Sequence, residues 1–71
     1  MNETKFYTQK HAEINGRNVW LYLISCPIGN IFVLQAENEY QELNTFFHFN
    51  DLDSAEAQFE RICVKILRGI L

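Results

Sequence analysis

The apolar positions of this 71-residue chain change period along its length, and each change marks an element. From Lys5 to Ile14 the pattern is extended in character. It stops at Asn15-Gly16, a pair that tolerates positive φ at both residues and so predicts a two-residue hairpin. Asn18 to Cys26 then carries Val19, Trp20, Leu21, Tyr22, Leu23 and Ile24 without alternation, the pattern of a central strand covered on both faces. Pro27-Ile28-Gly29-Asn30 predicts a break, because proline removes a ladder donor and glycine permits the turn. Ile31 to Ala36 reads as a third strand, with Phe32 and Leu34 opposite Ile31 and Val33. A turn is expected at Glu37-Asn38-Glu39, then a fourth strand from Tyr40 to Phe49. In that strand Leu43, Thr45, Phe47 and Phe49 are expected to share one face and Asn44, Phe46 and His48 the other.

The period then becomes helical. Asp53 is the expected N-cap, with Glu56 three residues on completing a capping box, and the helix is expected to run from Ser54 to Leu71. Its acidic start and its basic finish at Lys65 and Arg68 both complement the macrodipole. At about 100° per residue, Ala55, Phe59, Ile62, Cys63, Ile66 and Ile70 form one stripe, and Ala57, Val64, Leu67 and Leu71 form a second. A helix covering one sheet needs an apolar arc of roughly 100°, and this arc is about twice that. The first stripe is better centred to face a sheet. Val64, Leu67, Leu71 and Ala57 are therefore expected to meet a second copy of the chain or another protein.

The predicted architecture is α+β: a four-stranded antiparallel meander followed by one C-terminal helix packed on one face, ββββα, in a single small domain over residues 1–71. One helix covers one face only. Trp20, Tyr22, Ile24 and Phe32 cannot share a face with all of Val19, Leu21, Leu23, Ile31 and Val33, since successive side chains point oppositely. Whichever set faces the helix, the other forms an apolar patch on the open side, a second feature that points to association.

Composition adds limits to this picture. With 48% hydrophobic and 14% aromatic residues, three Gly and one Pro, the chain has the makings of a core. At this size it buries only about 60% of its unfolded surface, which makes oligomerisation a common aid. A net charge of −3, with six Lys and Arg spread along the chain, argues against a dedicated nucleic-acid binder. Glu37, Glu39 and Glu42 gather at one turn and make a basic protein the expected partner. No apolar run approaches the roughly 18 residues that span a bilayer. Met1 to Lys10 lacks the apolar core of a signal peptide, so no membrane partner and a cytoplasmic location are expected. Cys26 and Cys63 read as small buried hydrophobes rather than a bridge.

Candidate chemistry is sparse. His11 and His48 lack a second ligand at zinc spacing, and Asp51, Asp53 and Glu56 are explained by helix capping, so no metal or cofactor is expected. No serine or cysteine sits beside a base in a recognisable nucleophile signature. Aromatics at sheet positions, Trp20 and Tyr22 among them, are how several single-strand binders stack bases. The order ββββα, with dimerisation through the helix, is similar in architecture to that of single-stranded DNA-binding transcription coactivators. The resemblance is one of architecture: no motif of that family is matched residue by residue, and its basic strands are missing. Single-strand binding would here work through Trp20 or Tyr22 with a few basic residues such as Lys5, Lys10 and Arg17. The leading expectation is a non-enzymatic interaction module, homodimeric, that regulates or inhibits another protein. The alternative is single-stranded nucleic-acid binding through the aromatic face.

Overall fold

A computed structural model of the chain describes residues 3–70, apart from the side chains of Phe46, Phe47 and Phe49. Four strands, β1 (Lys5–Ile14), β2 (Arg17–Cys26), β3 (Gly29–Glu37) and β4 (Leu43–Phe49), precede one helix, α1 (Leu52–Leu67). The strands form one antiparallel sheet in sequence order, β1-β2-β3-β4, so the ββββα meander is the observed fold.

Turn chemistry sets the strand ends. Asn15 (φ 53°) and Gly16 (φ 77°) both take left-handed conformations, and Ile14 pairs with Arg17 directly across them. Cys26 pairs with Gly29 around Pro27-Ile28. The third connection is longer than the predicted three-residue turn. Asn38 holds it, its Oδ1 accepting from the backbone amides of Tyr40 (2.8 Å) and Glu42 (2.9 Å), while Gln41 turns the chain at φ 62°. This side-chain-built loop delays β4 to Leu43, three residues after the predicted start at Tyr40.

The β2–β3 ladder is unbroken, and its register settles which residues share a face. Val19 pairs with Ala36, Leu21 with Leu34 and Leu23 with Phe32, all on the side covered by α1. Trp20, Tyr22 and Ile24 lie on the open side with Gln35, Val33 and Ile31. Both outer strands carry a bulge. Thr8 pairs with Tyr22 but Lys10 pairs with Leu21, so Gln9 is extra and the two even positions fall on opposite faces. In β4, Phe47 pairs with Leu34 but Thr45 pairs with Gln35, so Phe46 is extra. The expectation that Leu43, Thr45, Phe47 and Phe49 share a face is thereby corrected: Leu43 and Thr45 pair with Glu37 and Gln35 on the open side, and the extra residue breaks the period-two count before the backbone reaches Phe47 and Phe49.

The helix presents Ala55, Phe59, Ile62 and Ile66 to Val19, Leu21, Leu34 and Ala36, closing a core with no polar side chain among the described residues. Ala12, Ile14, Phe32 and Cys63 pack around it. The helix boundaries differ from the sequence reading at both ends. Asp51, not Asp53, is the N-cap: its backbone is extended (φ −127°, ψ 151°) and its carboxylate accepts from the Ser54 amide at 2.8 Å. Glu56 does not complete a capping box, because Lys10 of β1 holds it in an ion pair of 2.9 Å. At the other end Gly69 enters the left-handed region at φ 73°. Its amide donates to the Ile66 carbonyl and the Ile70 amide to that of Lys65, a Schellman closure that ends the helix before Ile70. Ile70 therefore does not continue the inner stripe and is 67% exposed.

The cap has a pH signature. Hydrogen bonds from the Ser54 amide and hydroxyl hold the Asp51 carboxyl below its ordinary value. A folded-state value below the unfolded one means a stabilisation present above the ordinary carboxylate range and lost as pH falls through the folded value. Asp51→Ala is expected to melt below the wild type at neutral pH, and the gap to narrow below about pH 4. A pH-independent gap in thermal melts would show that the carboxylate's charge plays no part.

Candidate interaction surfaces

The side of α1 opposite the core carries Ala57, Val64 and Leu67, all exposed, with Val64 at 43% and Leu67 at 66%. At about 100° per residue, Ala57 and Val64 lie roughly 170° around the helix from the middle of the buried stripe, and Leu67 about 110° from it, on the flank. A shallow depression of ≈ 500 Å³ opens there, floored by Ala57 and Val64 and rimmed by Glu60, Arg61, Lys65 and Arg68, with Ile70 at its end. Leu71, predicted to extend this seam, lies outside the described residues.

The open face of the sheet is built in cross-strand rows. Glu13 pairs with Asn18, which hydrogen-bonds Glu37; then come His11, Trp20 and Gln35; then Thr8, Tyr22 and Val33; then Phe6, Ile24 and Ile31. The chemistry therefore grades from acidic and amide, through aromatic, to apolar. His11 stacks on Trp20 (5.6 Å, 23°) and its Nε2 lies 2.8 Å from Asn18 Oδ1. Trp20 and Tyr22 stand nearly parallel, at 13°, with centroids 6.5 Å apart. Between Phe6, Tyr22, Ile24, Val33 and Gln35 lies a hollow of ≈ 220 Å³.

Basic residues are placed elsewhere. Lys5 pairs with Ser25, Lys10 with Leu21 and Arg17 with Ile14, so all three occupy register positions on the helix side. Lys10 is held there by Glu56 and lies 5.8 Å from the Phe59 ring centroid; the hydrogen bond to Glu56 raises its ammonium above the ordinary lysine value. Arg61, Lys65 and Arg68 belong to the helix and its cap. With six Lys and Arg in the chain, none is registered on the aromatic face, so the residues nominated for a phosphate backbone and the rings nominated for bases lie on opposite sides.

The three glutamates nominated for a basic partner differ in what they do. Glu37 is part-buried, and its carboxylate accepts from the Asn18 amide (2.7 Å) and Asn18 Nδ2 (2.8 Å), while its carbonyl accepts from Arg17 Nε (2.9 Å). It ties β2 to β3. Glu42 accepts from Asn38 Nδ2 (3.1 Å) within the loop, and Glu39 is exposed on the turn. Asn18 was the partner that spacing alone could not reveal, since it lies 19 residues from Glu37.

No group of three or more His, Cys, Asp or Glu capable of holding a metal occurs among the described residues. Cys26 donates through Sγ to the Gly29 carbonyl (3.0 Å), and burial pushes the Cys63 thiol up from its ordinary value. Both cysteines are free, and a protonated, half-buried Cys63 is a packing residue in this geometry. No helix is long and apolar enough to cross a membrane among the described residues. Comparison with family models, with curated proteins and with solved structures finds no match to this chain.

Proposed function

We propose that this chain is a non-enzymatic protein-interaction module that works in the cytoplasm as a homodimer and regulates or inhibits another, basic protein. The observation that carries the reading is the exposed ridge of α1, where Val64 and Leu67 face away from a core already closed by Phe59, Ile62 and Ile66. Leaving such side chains in water forgoes roughly 25 cal/mol for each Å² of apolar surface that a partner would cover. One face of a helix of 16 residues, about 24 Å long, is short for the roughly 800 Å² per copy of a standard interface. Dissociation in the micromolar range is therefore expected.

Light scattering from low micromolar to millimolar concentration tests the dimer directly. The expected result is a mass that rises from one copy to two and stops there; a constant single-copy mass would remove the self-association half. The alternative, single-stranded nucleic-acid binding, is favoured by the near-parallel Trp20 and Tyr22 rings. The placement of every Lys and Arg away from that face weighs against it.

A further inference from the structure

The open sheet face pairs acidic and aromatic groups at one end with an apolar hollow at the other, and its chemistry names a class of ligand. We propose that it docks an extended segment of another protein bearing an arginine and, about 10–14 Å further along, a large apolar side chain. The proposal rests on reading the chain as an interaction module but not on its dimerisation.

Charge supplies the first argument. Glu13 is exposed and, among the described residues, its carboxylate makes no hydrogen bond or ion pair. It stands in the row next to Trp20, on a face where no Lys or Arg is registered. A cation there meets attraction from the carboxylate and no like charge on that face, whereas a phosphate meets the reverse.

Geometry supplies the second. Trp20 and Tyr22 lie two residues apart on β2 with their rings within 13° of parallel. His11 also stacks on Trp20, so the three rings form one aromatic row whose exposed parts, beside Glu13, offer a planar guanidinium a surface to pack on while its edge donates to the carboxylate; an ammonium has no plane to match. The hollow of ≈ 220 Å³ walled by Phe6, Tyr22, Ile24, Val33 and Gln35 covers the rows of Trp20, Tyr22 and Ile24, so its centre lies about two strand residues, or about 7 Å, beyond Trp20 and about four, or about 13 Å, beyond the Glu13–Asn18 row. Phe6, at 69% exposure, forms an open rim through which a side chain enters. An extended peptide places side chains of one face at intervals of about 7 Å, so an arginine over the Glu13 row and an apolar residue four positions further on, with three residues between them, match this span of about 13 Å, whereas spacings of two or six positions fall short or overshoot.

The probe is a capped threonine nonapeptide with arginine at its third and phenylalanine at its seventh position, titrated at low salt while Trp20 fluorescence is followed. Saturable quenching with a micromolar to sub-millimolar midpoint is expected, and none from the same peptide with glutamate replacing arginine. With a fluorescein-labelled peptide and anisotropy as readout, Glu13→Lys and Trp20→Leu should each weaken binding at least tenfold. Glu13→Lys changes an exposed side chain without partners, so an unchanged melting curve certifies its fold. Three results would each overturn the proposal: no saturation at millimolar peptide, equal binding to Glu13→Lys, or tighter binding of oligothymidylate than of the arginine peptide. A peptide that binds a chain of single-copy mass would remove dimerisation and leave this inference standing; a dimer that ignores the peptide would do the opposite.

Discussion

Leu34→Ala is expected to destabilise the protein by about 3 kcal/mol and to lower its melting temperature by roughly 15–20 °C. Leu34 has no exposed surface and sits on the inner strand β3, in one cluster with Leu21 across the ladder and Phe59, Ile62 and Ile66 of the helix. Truncation loses the transfer free energy of the removed atoms and opens a cavity between two layers joined to each other by few other side chains. A domain of 71 residues holds only about 4–10 kcal/mol in total, so the variant sits near the edge of folding. Leu43→Ala is the control, since Leu43 is 54% exposed at the start of β4, and its loss is expected to stay within about 0.5 kcal/mol. Chemical denaturation of both variants measures the difference. Equal midpoints for the two would mean that the sheet–helix interface does not hold the fold together.

The second large effect is on association. Val64→Glu made together with Leu67→Glu is expected to weaken self-association by about a hundredfold, equivalent to about 2.7 kcal/mol. Each substitution replaces an apolar contact with a carboxylate that must be desolvated without a designed partner. Both side chains point away from the core, so the fold of the dilute chain should survive. Glutamate near a helix C-terminus opposes the macrodipole and costs about 0.5 kcal/mol by itself. The matched glutamine pair, which lacks that charge, separates the two causes. Scattering that reports the same mass for the wild type and both variants would place any contact between copies elsewhere on the molecule.

Much of this fold was legible in the sequence because its punctuation is local. Asn15-Gly16 names its own turn, and the i, i+4, i+7, i+11 spacing of Ala55, Phe59, Ile62 and Ile66 names the inner side of the helix. What the sequence withheld depends on partners distant along the chain. Asp51 and Asp53 are equally good caps in isolation; the backbone at Asp51 and the capture of Glu56 by Lys10, 46 positions away, decide between them. Period-two counting carries a face assignment along a strand only while the ladder is regular. The extra residues Gln9 and Phe46 break that count, moving Ala12 and Ile14 onto the core side and dividing Thr45 from Phe47. The candidate surfaces were legible in part for the same reason. Val64 and Leu67 follow from helical period alone, whereas the separation of Lys5, Lys10 and Arg17 from Trp20 and Tyr22 follows from pairing register.

The two interrupted ladders also bear on how the molecule keeps to itself. In a meander the first and last strands each leave a row of amides and carbonyls unpaired, a template on which further chains can add end to end. Here the inner β2–β3 ladder runs without interruption, and each of the two border strands, β1 and β4, carries one surplus residue near its middle. A strand arriving from a neighbouring molecule could match the row only as far as Gln9 or Phe46 before losing register. The irregularities that obscure the sequence pattern thus act as stops against open-ended sheet growth, and deleting Gln9 would lengthen the regular border available for fibril nucleation.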